Sequence, residues 1–140
     1  MPAFLDTSIV LSRLFNQAPQ FPDDEWDSLE NPYGSELLRV ESCRAIERQK
    51  LDSGWSDKVF ADSLAALETL LSGFTLVPLH SRILGRACQP FGVRLKTLDS
   101  IHLSTVLLLQ DQDPNHVWTF YAHDDQLKNA ARACGLQVSG

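Results

Sequence analysis

The chain has 140 residues, of which 44% are hydrophobic and 21% charged, and its formal net charge is −6. That length makes one domain able to bury roughly two-thirds of the surface its unfolded chain exposes, and the composition excludes membrane, collagenous and disordered classes. The net acidity excludes the broad basic face that most nucleic-acid binders carry, so a polyanionic substrate has to be held locally.

No apolar run approaches the roughly 20 residues of a membrane span. The N-terminus lacks the basic flank and apolar stretch of a signal peptide, with Asp6 interrupting the only candidate, so a cytoplasmic protein is expected. Cys43, Cys88 and Cys134 are odd in number and form no CxxC pair. This spacing fits neither a disulfide framework nor a zinc site, and Cys43 and Cys134 read as small apolar residues on helices.

In chain order, residues 2–5 read as a short buried strand that ends at Asp6. Ser8 or Thr7 is expected to cap the following helix, with Ile9, Val10, Leu11, Leu14 and Phe15 on its apolar side. Segment 17–33 carries three prolines and the acidic run Asp23-Asp24-Glu25-Trp26-Asp27, and reads as an extended loop or short helix laid across the surface. Ser35 is the expected N-cap of a helix reaching about Lys50, and Ser56 that of a helix reaching about Ser72, with Gly73 as its stop. Residues 75–79 form a strand, followed by helices over about 81–90 and 98–110. Residues 117–122 are the most strand-like run, a helix over about 125–134 stops at Gly135, and 136–138 supply a last strand. Strands separated by helices imply crossover connections, hence an α/β fold with a mainly parallel sheet covered on both faces.

Four acids punctuate this pattern: Asp6, Glu41, Asp99 and Asp124. In an open parallel sheet, ligands bind beyond the carboxyl ends of the strands, where Asp6 and Asp124 follow strands directly. Asp99 stands at a helix start, where an N-cap or dipole role competes with ligation. Glu41 lies in mid-helix among Leu37, Leu38 and Ala45, and a carboxylate on such a face needs a partner. Carboxylates from four distant segments suit a hard divalent cation, Mg²⁺ or Mn²⁺, which takes oxygen ligands and serves phosphate chemistry. Thr7 and Ser8 fit both helix capping and orientation of ligating carboxylates from a second layer. His102, three residues after Asp99, shares its helix face and reads either as a packed histidine or as a ligand. Asp125 beside Asp124 and Glu36 near Glu41 read as structural neighbours, one of the pair Asp124/Asp125 capping the last helix. Arg13, Arg39, Arg94 and Lys96 lie near the acids in sequence and are candidate phosphate contacts.

These residues in this order resemble the PIN-domain ribonucleases, most closely the VapC toxins of toxin–antitoxin pairs. Phe4-Leu5-Asp6-Thr7-Ser8 is similar to the opening motif, Ser35-Glu36-Leu37 with Glu41 to the second, Leu98-Asp99-Ser100-Ile101-His102 to the third, and Asp124-Asp125-Gln126-Leu127 to the last. The resemblance spans nearly the whole chain and implies a three-layer sandwich with helices on both faces of a central sheet. It implies Mg²⁺- or Mn²⁺-dependent endonucleolytic cleavage of RNA, leaving 5′-phosphate and 3′-hydroxyl ends. Asp6, Asp99 and Asp124 would hold the cation, with Glu41 as a further ligand or an acceptor for water. It further implies a basic antitoxin partner, VapB-like, and a homodimer. Two features depart from the pattern. Ala122 replaces a hydroxyl residue two positions before the fourth acid, and segment 17–33 is longer than the usual connection, with consequences for substrate entry or dimer contacts. A haloacid-dehalogenase-like phosphatase fits less well, because Ser8 stands where its second aspartate belongs. A PIN-like module that binds a basic partner without turnover is the non-enzymatic alternative.

Overall fold

The computed structural model describes residues 2–140. Five three-residue strands alternate with seven helices: β1 (Ala3–Leu5), α1 (Thr7–Phe15), α2 (Asp23–Asp27), β2 (Tyr33–Ser35), α3 (Leu37–Ser53), α4 (Asp57–Leu71), β3 (Thr75–Val77), α5 (Ser81–Ala87), α6 (Thr97–Gln112), β4 (Thr119–Tyr121), α7 (Asp125–Ala133) and β5 (Gln137–Ser139). The strands form one sheet in the order β3-β2-β1-β4-β5, and every pairing is parallel. The expected α/β class and parallel sheet are therefore observed.

Alternation along β1 divides the core. Phe4 faces one side, stacking on Phe120 at 5.8 Å and joining Leu103 and Val106 of α6 with Leu127, Ala130 and Ala131 of α7. Ala3 and Leu5 face the other side and meet Ile9 of α1 and Phe21. A third cluster joins α1, α3 and α4 through Val10, Leu38, Ile46, Leu67 and Leu71. Burying both faces in this way leaves no room for polar alternation in β1, which is apolar throughout.

Several local readings change. Asp6 itself is the N-cap of α1, its side chain accepting from the Ser8 amide, so Thr7 and Ser8 lie inside the helix. β2 was not legible as a strand, and Ser35 ends it; the Ser35 hydroxyl nevertheless caps α3 as expected, accepting from the Leu37 amide at 3.1 Å. Ser56 caps α4 and the helix closes at Ser72, just before Gly73, both as expected. Val59 of α4 is exposed, so the inner face of that helix is carried by Leu67 and Leu71. Gly135 does stop the last helix: at φ 89° it adopts a left-handed conformation that costs other residues steric energy. Segment 17–33 is less superficial than its composition suggests. α2 forms within it, and Phe21 is buried, its ring 5.6 Å from Tyr121 and 6.2 Å from Trp26. Among the described residues no helix is long and apolar enough to cross a membrane, and the three cysteines are free, with Cys88 exposed.

Candidate active site

In the strand order, β1 has β2 on one side and β4 on the other, so the chain's direction of winding reverses at β1. Ligands in open α/β sheets bind at such a reversal, beyond the carboxyl ends of the strands. Asp6 immediately follows β1, and Leu5 is in register with Tyr121 of β4. The Asp6 amide continues the ladder by donating to the Tyr121 carbonyl at 2.9 Å, which brings the following loop, with Asp124, beside Asp6. Glu41 enters from α3 and Asp99 from the first turn of α6. All four acids line one cleft of about 400 Å³ together with Thr7, Ser8, Arg44, Arg48 and Lys96. A roomier cleft of about 500 Å³ elsewhere carries Glu30 as its single acid and has no comparable chemistry.

Each carboxylate but one is held by a single oxygen. Asp6 Oδ2 accepts from the Ser8 amide at 3.1 Å and the Ser8 hydroxyl at 2.6 Å. The same hydroxyl accepts from the His123 amide at 3.2 Å, so Ser8 ties Asp6 to the loop that carries Asp124. Asp124 caps α7, its Oδ1 accepting from the Leu127 amide at 2.9 Å. Glu41 Oε1 accepts from the Thr7 hydroxyl at 2.8 Å and lies 2.5 Å from His102 Nε2. His102 is fully buried and its Nδ1 has no partner among the described residues. A proton on Nδ1 would be an unpaired buried donor, so Nε2 carries the hydrogen and donates it to Glu41.

Electrostatics follow from this arrangement. Burial, then the negative charges of Asp6 and Asp124, push Asp99 up from 3.8 to about 6, against the weaker pull of His102 and Lys96. Burial also works against the Glu41 carboxylate, but the hydrogen bond and charge of His102, with the Thr7 hydroxyl, bring it below its usual range. For His102 burial disfavours the charged ring, yet Glu41, Asp6 and Asp99 outweigh it and raise the pKa.

Thr7 and Ser8 thus hydrogen-bond to acids, one of the two roles read for them, and His102 is packed against Glu41. Asp125 lies outside the cleft: it is exposed and 3.6 Å from Lys128, because the first turn of α7 points it away once Asp124 has taken the cap. Glu36 also stays outside the cleft, accepting from the Leu79 amide. Of the four basic candidates only Lys96 lines the cleft; Arg13 pairs with Asp23 and Arg39 with Glu68. Arg44 and Arg48 were missed, although three- and four-residue steps from Glu41 along a helix would have found them. Ala122 packs its methyl in the Phe4–Phe120 cluster and is absent from the cleft lining, as is every residue of segment 17–33.

Among the described residues no three His, Cys, Asp or Glu side chains converge closely enough to hold a metal ion. The hydrogen bonds explain the spread: Ser8, Thr7 with His102, and the Leu127 amide each draw a carboxylate toward its own element. The donor set nevertheless fits a hard cation. Asp6 Oδ1, Glu41 Oε2 and Asp124 Oδ2 accept no hydrogen bond, and only burial and neighbouring charges act on Asp99.

A five-stranded parallel sheet with acids at its point of reversal defines a PIN-like α/β sandwich. The solved structures similar to this chain include VapBC2 from Rickettsia felis bound to a DNA fragment from their promoter, at TM-score 0.69 and 14% identity, covering 99% of this chain and 98% of that one. They also include VapBC-1 from nontypeable Haemophilus influenzae, at TM-score 0.67 and 16% identity, covering 99% and 97%. At such identities the likeness is one of fold, and that fold is the one found in VapC-like PIN-domain proteins. No family model and no curated protein sequence matches the chain.

Proposed function

We propose that this protein is a VapC-like, Mg²⁺- or Mn²⁺-dependent endoribonuclease. The observation that supports this best is that Asp6, Glu41, Asp99 and Asp124 all line one cleft at the sheet's point of reversal. Asp6, Asp99 and Asp124 would hold the cation, with Glu41 as a further ligand or as the acceptor of a proton from water. When bound, the cation offsets phosphate charge and lowers the pKa of water. Ser8 ties the Asp6 carboxylate to the loop that carries Asp124, so these two acids keep their relative position while the remaining side chains close on a cation. Thr7 and His102 keep Glu41 ionised, leaving Oε2 free to accept the proton of a water that would form the new O–P bond as the P–O3′ bond breaks, with the 3′-oxygen taking a proton from solvent. With its pKa raised to about 6, Asp99 binds a proton more readily than an ordinary carboxyl, and a bound cation would compete with that proton.

Purified protein should cut a mixed pool of structured RNA with Mn²⁺, and Asp6→Asn or EDTA should abolish cutting. Intact RNA with folded, metal-loaded protein would reject the nuclease reading. A second reading follows from the neighbours, which are VapBC assemblies: a basic VapB-like antitoxin occupies the same acids. The net charge of −6 favours a basic partner. Retention of such a partner that Asp6→Asn/Asp124→Asn weakens, with no cleavage, would select a non-catalytic binding module. The homodimer implied by the family resemblance is checked by sedimentation.

A further inference from the structure

We propose that Arg44, Arg48 and Lys96 form a phosphate clamp beside the acids that takes an unpaired RNA strand; this rests on the nuclease reading. These cations line the same cleft as the four carboxylates, yet none forms an ion pair with them. Arg44 pairs only with the exposed Glu47 on its own helix, and Arg48 and Lys96 have no acidic partner among the described residues. Elsewhere on this acidic surface Arg13, Arg39, Lys50, Lys58 and Lys128 all stand against acids. Arg82, Arg86, Arg94 and Arg132 likewise form no ion pair among the described residues, so what sets Arg48 and Lys96 apart is their place in the cleft of the four acids, with which neither pairs.

Their placement assigns a role. Arg44 and Arg48 project one turn apart on α3, beyond Glu41, while Lys96 precedes α6 and so approaches from the element that carries Asp99. At 1.5 Å per residue Arg48 lies about 10 Å along the axis from Glu41. It therefore meets a phosphate neighbouring the one at the acids, not the scissile group itself. Asp6 is recessed, only 6% exposed, so the strand must dip into the cleft while its neighbouring phosphates rest on the rim. A duplex keeps its phosphates on a stiff outer surface, whereas an unpaired strand or loop bends to follow this path. The clamp supplies position without sequence information, as backbone contacts do. It also offsets the repulsion that the acids exert on an incoming polyanion.

The test measures binding of a fluorescent single-stranded RNA to full-length Asp99→Asn protein in Mg²⁺, a background chosen to keep the RNA intact, between low and moderate salt. Arg48→Gln and Lys96→Gln should each weaken binding alike across unrelated sequences and lower the slope of log K against log salt by about 0.7. The double variant should lose about 1.4. Arg82→Gln, an exposed cation on α5 outside the cleft, is the control that should change neither. In the otherwise native protein, Arg48→Gln should lower kcat/KM through KM. A duplex of the same sequence should compete poorly. Unaltered slopes in the clamp variants, or equal competition by duplex, would overturn the clamp even if wild-type protein cuts RNA. Reduced slopes in protein that never cuts RNA would keep the clamp and reject the nuclease.

Discussion

Asp99→Asn should make the metal-free protein more stable at neutral pH while removing its activity. Burial and the charges of Asp6 and Asp124 raise the Asp99 pKa from 3.8 to about 6. A shift of about two units corresponds to roughly 3 kcal/mol at 1.36 kcal/mol per unit. The carboxyl is only about half buried, so solvent screening reduces the recoverable part to about 1 kcal/mol. The sign follows from linkage. A carboxyl with a raised folded pKa binds its proton more tightly in the folded state, so the fold is penalised progressively as pH rises from 3.8 to about 6. Asparagine is isosteric and uncharged, and Asp99 makes no hydrogen bond whose loss would offset the gain. Urea unfolding in EDTA should show the variant about 1 kcal/mol more stable at pH 7.5, equivalent to about 3 °C in Tm. At about pH 4 the gap should close, because the wild-type carboxyl is then protonated in the folded state. A variant less stable at pH 7.5, or an equal gap at both pH values, would refute this account of the site's electrostatics.

Mn²⁺ at a hundred times its Kd should stabilise wild type by about 2.7 kcal/mol, and Asp99→Asn by much less; differential scanning fluorimetry reads the inversion. His102→Ala, which strands the Glu41 carboxylate, should cost about 3 kcal/mol by urea unfolding. The raised His102 pKa adds stability that is fully present below 6.5 and is lost as pH rises through the folded value, so the variant's deficit should shrink in alkaline buffer. Ser8→Ala should lower kcat at little change in KM and cost about 1 kcal/mol, since it frees both Asp6 and the His123 amide. Phe21→Ala should cost about 3 kcal/mol through the cavity it leaves, with Asp6-dependent cleavage intact. Asp125→Asn should change stability by less than about 0.5 kcal/mol and leave cleavage unaltered.

The acids were legible because carboxylates at strand ends or on an apolar helix face have few structural uses, and all four do share a cleft. Thr7 and Ser8 were legible as supports, though the expected division of labour was reversed: the acid caps the helix and the hydroxyls orient acids. β2 escaped notice because Tyr33-Gly34-Ser35 lacks β-branched residues. Its glycine serves packing, since a Cβ there would stand 3.0 Å from Leu38 Cδ1. Arg44 and Arg48 escaped because exposed cations on a helix read as ordinary solvent-facing residues until the fold shows which acid they flank. Segment 17–33 was legible as carrying a short helix, but its prolines and acids concealed its anchoring: Phe21 is buried, with Trp26 and Leu29 packed beside it.

The order in which the sheet's neighbours are synthesised differs from their order in space. β4 lies between β1 and β5, yet every element except α7 and β5 precedes it along the chain. Asp6 emerges early and waits for the loop after β4 to bring Asp124 beside it. A chain still on the ribosome therefore carries Asp6, Glu41 and Asp99 but no crevice in which they meet. If the chain cuts RNA as proposed, a translation product that stops before β4 lacks the strand and loop that set Asp124 beside Asp6, and the four acids share no cleft until β4 has been made.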